Sequence, residues 1–159
     1  MSTQQPFIIL HVEDDPAHAV IVRRNIAGLR AGIQLNLVKD GGAALEYLFR
    51  QGVFSDPEFS PRPDLILLDL RLPKVDGLDV LRQVKLDAGL RIIPVVVLTT
   101  SGADPDIGVA YVLGAASCLT KPTSFQEFTV MMEAFCRYWL ELNCLPARQE
   151  SEWAAHTAS

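Results

Sequence analysis

The chain has 159 residues, enough for one domain of ordinary size with one buried core. Apolar residues make up 49% of the chain, which excludes a disordered protein and a coiled coil. The formal net charge of −5 lacks the basic excess that nucleic-acid-binding domains carry, so direct binding of DNA or RNA is not expected.

The N-terminal segment M-S-T-Q-Q-P-F-I-I-L has neither a basic start nor a long apolar stretch, so no secretory signal is predicted. No apolar run approaches the ~20 residues that span a bilayer, and we expect a cytoplasmic protein without a membrane partner. The three cysteines form no C-x-x-C pair, and the histidines do not complete a zinc site. Reduced, packed thiols are therefore expected at Cys118, Cys136 and Cys144.

Short apolar runs alternate with segments of helical periodicity along the chain. The apolar runs predict strands at residues 7–12, 33–38, 65–70, 94–99 and 116–120. The first helix is predicted to begin at Pro16 after an Asp15 cap, and further helices are predicted at residues 43–49, 77–87, 104–113 and 124–142. Residues 52–63 carry three prolines and predict a loop of unusual length.

Alternating strands and helices of this kind predict an α/β fold. Strands that are apolar throughout belong to a parallel sheet covered on both faces, and right-handed crossovers make that sheet doubly wound. One domain is expected over residues 1–145, with an extended final helix and a flexible tail at 146–159. Ligands of such folds bind at the carboxyl ends of the strands, near the point where the strand order reverses.

Polar residues follow four of the predicted strands. Glu13 and Asp14 follow the first, Asp69 ends the third, Thr99 ends the fourth and Lys121 follows the fifth. If the first and third strands are neighbours, the three carboxylates converge. Two unit charges about 4 Å apart repel by about 4 kcal/mol at an effective dielectric constant near 20, so the repulsion must be offset.

A hard divalent cation offsets such repulsion through oxygen ligands. Mg²⁺ commonly combines one or two carboxylates with water and phosphate oxygens. The cation also neutralises charge on a phosphoryl group during transfer, and an aspartate can act as the nucleophile. Lys121 and Thr99 then supply a cation and a hydroxyl for the phosphoryl oxygens.

Four motifs resemble the receiver domain of bacterial response regulators. They are V-E-D-D-P, D-L-I-L-L-D-L-R-L-P-K-V-D-G, P-V-V-V-L-T and L-T-K-P, and the match in order and interval covers roughly residues 7–142. Each motif alone is weak, but the ordered set is highly specific. The resemblance implies a flavodoxin-like sheet of five parallel strands in the order 2-1-3-4-5, with five helices.

The resemblance also implies a role for each residue at the strand ends. Asp69 is expected to be the phosphoacceptor, Thr99 the switch hydroxyl and Lys121 the phosphate-binding lysine. Mg²⁺ is the expected cofactor, and its expected ligands are Glu13 (mainly through water), Asp14, Asp69 and the backbone carbonyl of Arg71. The family usually has a cis peptide before the proline that follows the lysine, here Lys121–Pro122.

Receiver domains of this kind take a phosphoryl group from a sensor histidine kinase and signal through altered protein–protein interaction. They are not turnover enzymes, apart from self-catalysed phosphoryl transfer and dephosphorylation. The loop at residues 52–63 and the ending F-x-x-Y-W-L-E-L-N-C-L-P resemble stand-alone regulators of bacterial phytochrome kinases. The expected partner is therefore a bacteriophytochrome histidine kinase in red-light signalling.

One departure from the family pattern lies three positions before the lysine. Receiver domains commonly carry an aromatic residue there, whose rotamer reports phosphorylation, whereas this chain has Cys118. A small thiol cannot fill the same volume, which puts the usual threonine–aromatic coupling in doubt.

The last predicted helix carries two apolar stripes. The first is expected to face the sheet and contains Phe128, Met131, Phe135, Trp139 and Leu142. One buried face does not explain the second stripe, which is expected to be exposed and contains Met132, Cys136, Leu140 and Cys144. Exposed apolar patches often mark interfaces, so a homodimer through this helix and the following segment is expected. In the alternative, residues 143–159 fold back over the patch within one chain.

Other functions fit the residues less well. A metal-dependent phosphatase with an aspartate nucleophile needs a second aspartate two residues later, where this chain has Arg71. A dinucleotide-binding domain needs glycine in the turn after the first strand, which reads Glu-Asp-Asp-Pro. A phosphorelay intermediate and an unphosphorylated pseudo-receiver that serves as a dimerisation scaffold remain open.

Overall fold

Five parallel strands form one sheet in the order β2-β1-β3-β4-β5. The computed structural model describes residues 5–29 and 32–147. The strands are β1 at Phe7–Val12, β2 at Ile33–Val38, β3 at Leu65–Asp69, β4 at Val95–Thr99 and β5 at Ser117–Thr120. Each predicted strand is present, and each observed bound lies within one residue of the predicted one.

Helices connect the strands and cover both faces of the sheet. They are α1 at Pro16–Leu29, α2 at Gly41–Leu48, α3 at Gly77–Leu86, α4 at Asp106–Leu113 and α5 at Phe125–Cys136. A 3₁₀ turn lies at Gly52–Phe54 within the long loop, and a π-helical segment at Arg137–Leu142 continues α5. The doubly wound α/β fold with strand order 2-1-3-4-5 is therefore confirmed.

Side chains alternate between two cores because successive strand residues point to opposite faces. Leu10 and Leu68 pack on one face with residues of α2, α3 and α4. Ile9 and Leu67 pack on the other with residues of α1 and α5. The strands are buried on both sides, which explains why their sequences are apolar throughout.

Helices α2 and α4 each begin two residues away from the predicted position. In both cases an aspartate side chain accepts a backbone N–H at the start of the helix. The carboxylate of Asp40 accepts the backbone N–H of Ala43, and α2 therefore begins at Gly41. The carboxylate of Asp104 accepts the backbone N–H of Asp106, so Asp104 stands in the preceding turn and not in α4.

The loop between β3 and α3 is held close to Asp69. The backbone N–H of Gly77 donates to the carbonyl of Leu70 at 3.1 Å, and the carboxylate of Asp76 accepts the same N–H. A Cβ atom at position 77 would collide with the backbone carbonyl of Asp69. Glycine therefore lets α3 start directly against the end of β3.

The predicted assignment of the two stripes on the last helix is wrong. Met132 and Cys136, expected to be exposed, are buried in the core, whereas Leu142, expected to face the sheet, is 63% exposed. Phe128 and Phe135 are buried as expected. The buried positions follow i, i+4, i+7 and i+8 spacing, so one face of α5 takes side chains from both predicted stripes.

The π-helical segment explains why the pattern fails towards the end of the chain. The backbone N–H of Asn143 donates to the carbonyl of Tyr138 at 2.7 Å, a spacing of five residues. An extra residue per turn rotates the following side chains away from the sheet. Trp139 and Leu140 are half-buried at the edge of the core, and Cys144 is exposed.

The three cysteines are free thiols, as expected, but only Cys136 is fully packed, since Cys118 is half-buried and Cys144 is exposed. Of the tail predicted at 146–159, residues 148–159 lie outside the described residues. Within the described ranges, no helix combines the length and apolar character needed to cross a bilayer.

Candidate functional site

The strand order reverses between β1 and β3, and the candidate residues lie at the carboxyl edge beside that point. Asp69 ends β3, Thr99 ends β4, and Glu13 directly follows β1. Lys121 follows β5, and its backbone N–H donates to the carbonyl of Thr99 at 2.7 Å. The topology therefore brings together the residues that the sequence places far apart.

Lys121 is the centre of a buried polar network. Its ammonium donates to Glu13 Oε2 at 2.7 Å and to Asp69 Oδ2 at 2.9 Å. His18 Nδ1 lies 3.2 Å from the same nitrogen. The two carboxylate oxygens accept two of the three N–H donors of the ammonium, and His18 Nδ1 lies within reach of the third.

Burial and charge act in opposite directions on this network. Burial raises the pKa of Glu13 to about 7, although the hydrogen bond from Lys121 works against the shift. Burial alone would lower the pKa of Lys121, but its bonds to Asp69 and Glu13 outweigh burial and raise that pKa above its usual value. The lysine is therefore a fixed cation beside Asp69.

Three carboxylates form a group that suits a divalent cation. One oxygen each from Glu13, Asp14 and Asp69 lies within 4.8 Å of the others. Glu13 and Asp69 are buried, whereas Asp14 is exposed and leaves one side open to water. Hard oxygen donors with an open side fit Mg²⁺ or Mn²⁺.

Arg71 links the loop after β3 to the loop after β4. Its backbone N–H donates to Asp69 Oδ1 at 3.0 Å. Its guanidinium contacts both carboxylate oxygens of Asp104, at 2.9 and 2.8 Å, and Asp106 Oδ2 at 2.8 Å. The hydroxyl of Thr99 lies 3.3 Å from Asp104 Oδ2.

Sequence reasoning missed the parts played by His18 and Asp104. His18 lies in the first turn of α1 and reaches Lys121 because side chains on a helix point back towards its N-terminus. Its ring also stacks on Phe128, with a centroid distance of 6.4 Å. The expected cis peptide at Lys121–Pro122 is absent, since all the peptide bonds described are trans.

Tyr111 of α4 contacts Cys118, the position where receiver domains commonly carry an aromatic residue. The hydroxyl of Tyr111 accepts the backbone N–H of Cys118 at 3.1 Å. Tyr111 is half exposed and Cys118 is half-buried. An aromatic ring therefore stands beside β5, although the strand itself does not provide it.

Comparisons with known proteins agree with this geometry. The family model of the response regulator receiver domain matches residues 9–133. The probable methanogenesis regulatory protein FilR2 of Methanothrix harundinacea is 43% identical over 146 residues, which cover 92% of each chain. Response regulator Rcp1 of Synechocystis is 41% identical over 142 residues, which cover 89% of this chain and 95% of Rcp1.

Two solved structures share the fold over most of their length. The Mn²⁺-bound form of Rcp1 superposes with a TM-score of 0.83 at 41% identity, covering 89% of this chain and 100% of that one. The phosphorylated cyanobacterial phytochrome response regulator RcpA gives a TM-score of 0.84 at 35% identity, covering 89% and 99%. With this fold, this acidic edge and these similarities, the chain belongs to the response regulator receiver domain family.

Proposed function

We propose that Asp69 accepts a phosphoryl group from a sensor histidine kinase in the presence of Mg²⁺. The observation that carries the proposal is the ammonium of Lys121, which contacts Asp69 Oδ2 at 2.9 Å and Glu13 Oε2 at 2.7 Å. A cation already at the acceptor carboxylate is placed to bind an oxygen of a phosphoryl group joined to that carboxylate.

The transfer needs little chemistry from other side chains. A carboxylate oxygen of Asp69 attacks the phosphorus of a phosphohistidine and forms a P–O bond, giving an acyl phosphate. The P–N bond breaks, and its electrons go to the imidazole that leaves. Lys121 then stabilises the charge on the phosphoryl oxygens, and Thr99 donates a hydrogen bond to one of them.

Glu13, Asp14 and Asp69 are the residues proposed to hold Mg²⁺, together with the backbone carbonyl of Arg71. When bound, the ion neutralises charge on the phosphoryl group and on the carboxylates around it. Support comes from the oxygen donors that lie within 4.8 Å of one another and from Rcp1, whose structure is a Mn²⁺-bound form.

Signal termination is proposed to occur by hydrolysis at the same site. Water attacks the phosphorus, the bond to Asp69 breaks, and inorganic phosphate leaves a free carboxylate. The protein thus acts as a phosphorylated signal whose output is a changed protein–protein interaction. The similarity to Rcp1 and to the phytochrome response regulator RcpA favours a phytochrome histidine kinase as the partner, and hence red-light signalling.

Intact mass tests the phosphoacceptor. Purified protein is incubated with acetyl phosphate and Mg²⁺, alongside Asp69→Asn and the control Asp79→Asn. Asp79 is an exposed residue of α3 whose carboxylate pairs with Arg82 at 2.6 Å. Wild type and the control are expected to gain one phosphoryl group that EDTA prevents, and Asp69→Asn to gain none.

Two results would contradict the proposal. Gain of a phosphoryl group by Asp69→Asn would place the acceptor on another residue. Absence of any gain, both with acetyl phosphate and with the partner kinase, would favour the scaffold function over phosphotransfer.

We also propose that the protein forms a homodimer through the groove between β5 and α5. The groove is lined by Leu119, Met131, Phe135, Tyr138 and Trp139 together with Ala116, Ser117 and Ala134. Strand β5 is an edge strand with one side unpaired in the described chain, and Tyr138 is half exposed beside it.

Light scattering is expected to give twice the chain mass for wild type and the chain mass for Tyr138→Asp. A monomeric wild type at high concentration would contradict the dimer.

A further inference from the structure

The hydroxyl of Thr99 points to the loop after β4 and bonds within it. Thr99 Oγ1 lies 3.3 Å from Asp104 Oδ2 and 3.4 Å from the backbone carbonyl of Ser101. A threonine hydroxyl has one O–H donor. It therefore cannot donate to Asp104 and to a phosphoryl oxygen on Asp69 at the same time.

Asp104 is fixed in place by two further partners. The guanidinium of Arg71 contacts both of its carboxylate oxygens, and the backbone N–H of Asp106 donates to Oδ1 at 2.9 Å. The Asp104 side chain is 8% exposed, whereas the side chain of Arg71 is 56% exposed, so the arginine reaches the carboxylate from the solvent side. One guanidinium nitrogen, Nη2 of Arg71, contacts both oxygens of Asp104, and Oδ2 of that carboxylate also lies 3.3 Å from Thr99 Oγ1.

The same arginine touches the acceptor. The backbone N–H of Arg71 donates to Asp69 Oδ1 at 3.0 Å, while its side chain reaches across to Asp104. A continuous path of hydrogen bonds therefore runs from Asp69 through Arg71 and Asp104 to Thr99. The expected acceptor Asp69 and the expected switch residue Thr99 are thus joined through Arg71 and Asp104.

We infer that Asp104 is a positioning residue that holds the Thr99 hydroxyl away from the phosphoryl group, and that Arg71 fixes Asp104 for this purpose. The inference rests on the proposed function of Asp69. Phosphorylation has to replace the Thr99–Asp104 bond with a Thr99–phosphoryl bond, so Asp104 favours the unphosphorylated arrangement. A contact that is made in only one of two states shifts the equilibrium between them by the free energy of that contact. Here the contact is one hydrogen bond.

A double-mutant cycle isolates that bond. The phosphorylated fraction at limiting acetyl phosphate is measured by intact mass for wild type, Asp104→Ala, Thr99→Val and the double variant. Removal of one net hydrogen bond predicts a rise of about twofold to tenfold for Asp104→Ala. In the Thr99→Val background, Asp104→Ala is expected to have no more effect than the control Asp106→Ala. That control removes the carboxylate of the first residue of α4, which contacts Arg71 Nη1 at 2.8 Å.

A second measurement does not depend on phosphorylation. Three-bond NMR couplings report the side-chain rotamer of Thr99 in the unphosphorylated protein. One rotamer is expected for wild type and Asp106→Ala, and averaging between rotamers for Asp104→Ala.

The outcomes separate this inference from the proposed function. An unchanged Thr99 rotamer in Asp104→Ala would overturn the inference, whether or not Asp69 is phosphorylated. So would an equal rise in phosphorylation with and without the Thr99 hydroxyl, because charge alone would then explain it. A wild type that takes no phosphoryl group from acetyl phosphate or its kinase, but shows the expected rotamers, would overturn the proposed function and leave the Thr99–Asp104 contact established.

Discussion

His11 is a buried histidine on β1 whose environment gives it no hydrogen bond. The side chain is fully buried, neither ring nitrogen makes a hydrogen bond among the residues described, and Nε2 lies 4.0 Å from Glu13 Oε2. Burial, with a smaller contribution from the charge of Lys121, lowers the pKa of His11 to about 3. A polar ring held neutral and unpaired in this way destabilises the folded state.

Replacement of His11 with leucine is therefore expected to stabilise the protein. At pH 7 the free energy of unfolding should rise by about 1–3 kcal/mol, because leucine removes the two buried ring nitrogens that make no hydrogen bond. The sign of the pH dependence follows from the lowered pKa. Between pH 6.5 and about 3 the unfolded chain binds a proton at His11 that the folded chain does not, so acid favours unfolding of the wild type.

Urea unfolding of both proteins across this pH range tests the expectation. The advantage of His11→Leu should grow by about 1.4 kcal/mol for each pH unit below 6.5. An advantage that stays constant from pH 7 to pH 5 would show that His11 has a partner or takes up a proton in the folded state.

At the scale of elements, the strands and the extent of the last helix could be predicted, but the buried face of that helix could not. An apolar run between polar residues marks a doubly buried strand directly, and each strand bound was placed within one residue. The phase of α5, meaning its rotation about its own axis, decides which side chains face the sheet. The two apolar stripes in the sequence are compatible with more than one such rotation. The π-helical turn after Cys136 changes that phase through a local backbone feature that apolar spacing does not reveal.

A matched pair of methionines tests the corrected phase. Met132 is fully buried, whereas its neighbour Met131 is half-buried at the edge of the groove. Met132→Ala is expected to lower the free energy of unfolding by about 2–5 kcal/mol, because it leaves a cavity in the core. Met131→Ala should lower it by about 1 kcal/mol or less. Equal losses, or a larger loss at Met131, would restore the phase first predicted.

The part of the candidate site that could be predicted consists of the residues at the ends of the strands. Glu13, Asp69, Thr99 and Lys121 lie at the carboxyl edge because strand order alone brings them there. The contacts of His18 and Asp104 depend on how loops and a first helical turn fold over that edge. An aspartate in the loop at residues 100–105 was visible in the sequence, but only the structure shows that it meets both Thr99 and Arg71.

At the scale of the whole molecule, a metal ion bound at the acidic edge is expected to stabilise the folded chain. A ligand that binds only the folded state adds about 2.7 kcal/mol at a concentration one hundred times its Kd. Mg²⁺ is therefore expected to raise the melting temperature of wild type, and Asp14→Asn should abolish the rise. Asp14 is exposed, so its replacement should not lower the melting temperature without metal.

The control for this experiment is Asp15→Asn. Asp15 lies next to Asp14 but caps α1, accepting the backbone N–H of Ala17 at 2.9 Å. It should keep the response to Mg²⁺ and lose some stability at every Mg²⁺ concentration. Scanning calorimetry with and without EDTA gives both values, and an undiminished Mg²⁺ response in Asp14→Asn would exclude Asp14 as a ligand.

We propose above that the Asp69 carboxylate carries the phosphoryl group, and this assignment can be tested chemically. Borohydride reduces an acyl phosphate to an alcohol, so a phosphorylated aspartate is converted to homoserine and can be found by peptide mass spectrometry. After phosphorylation by acetyl phosphate or the partner kinase, homoserine is expected at position 69 and unmodified aspartate at positions 14 and 76. Homoserine at another position, or none from a protein that has gained a phosphoryl group, would contradict it.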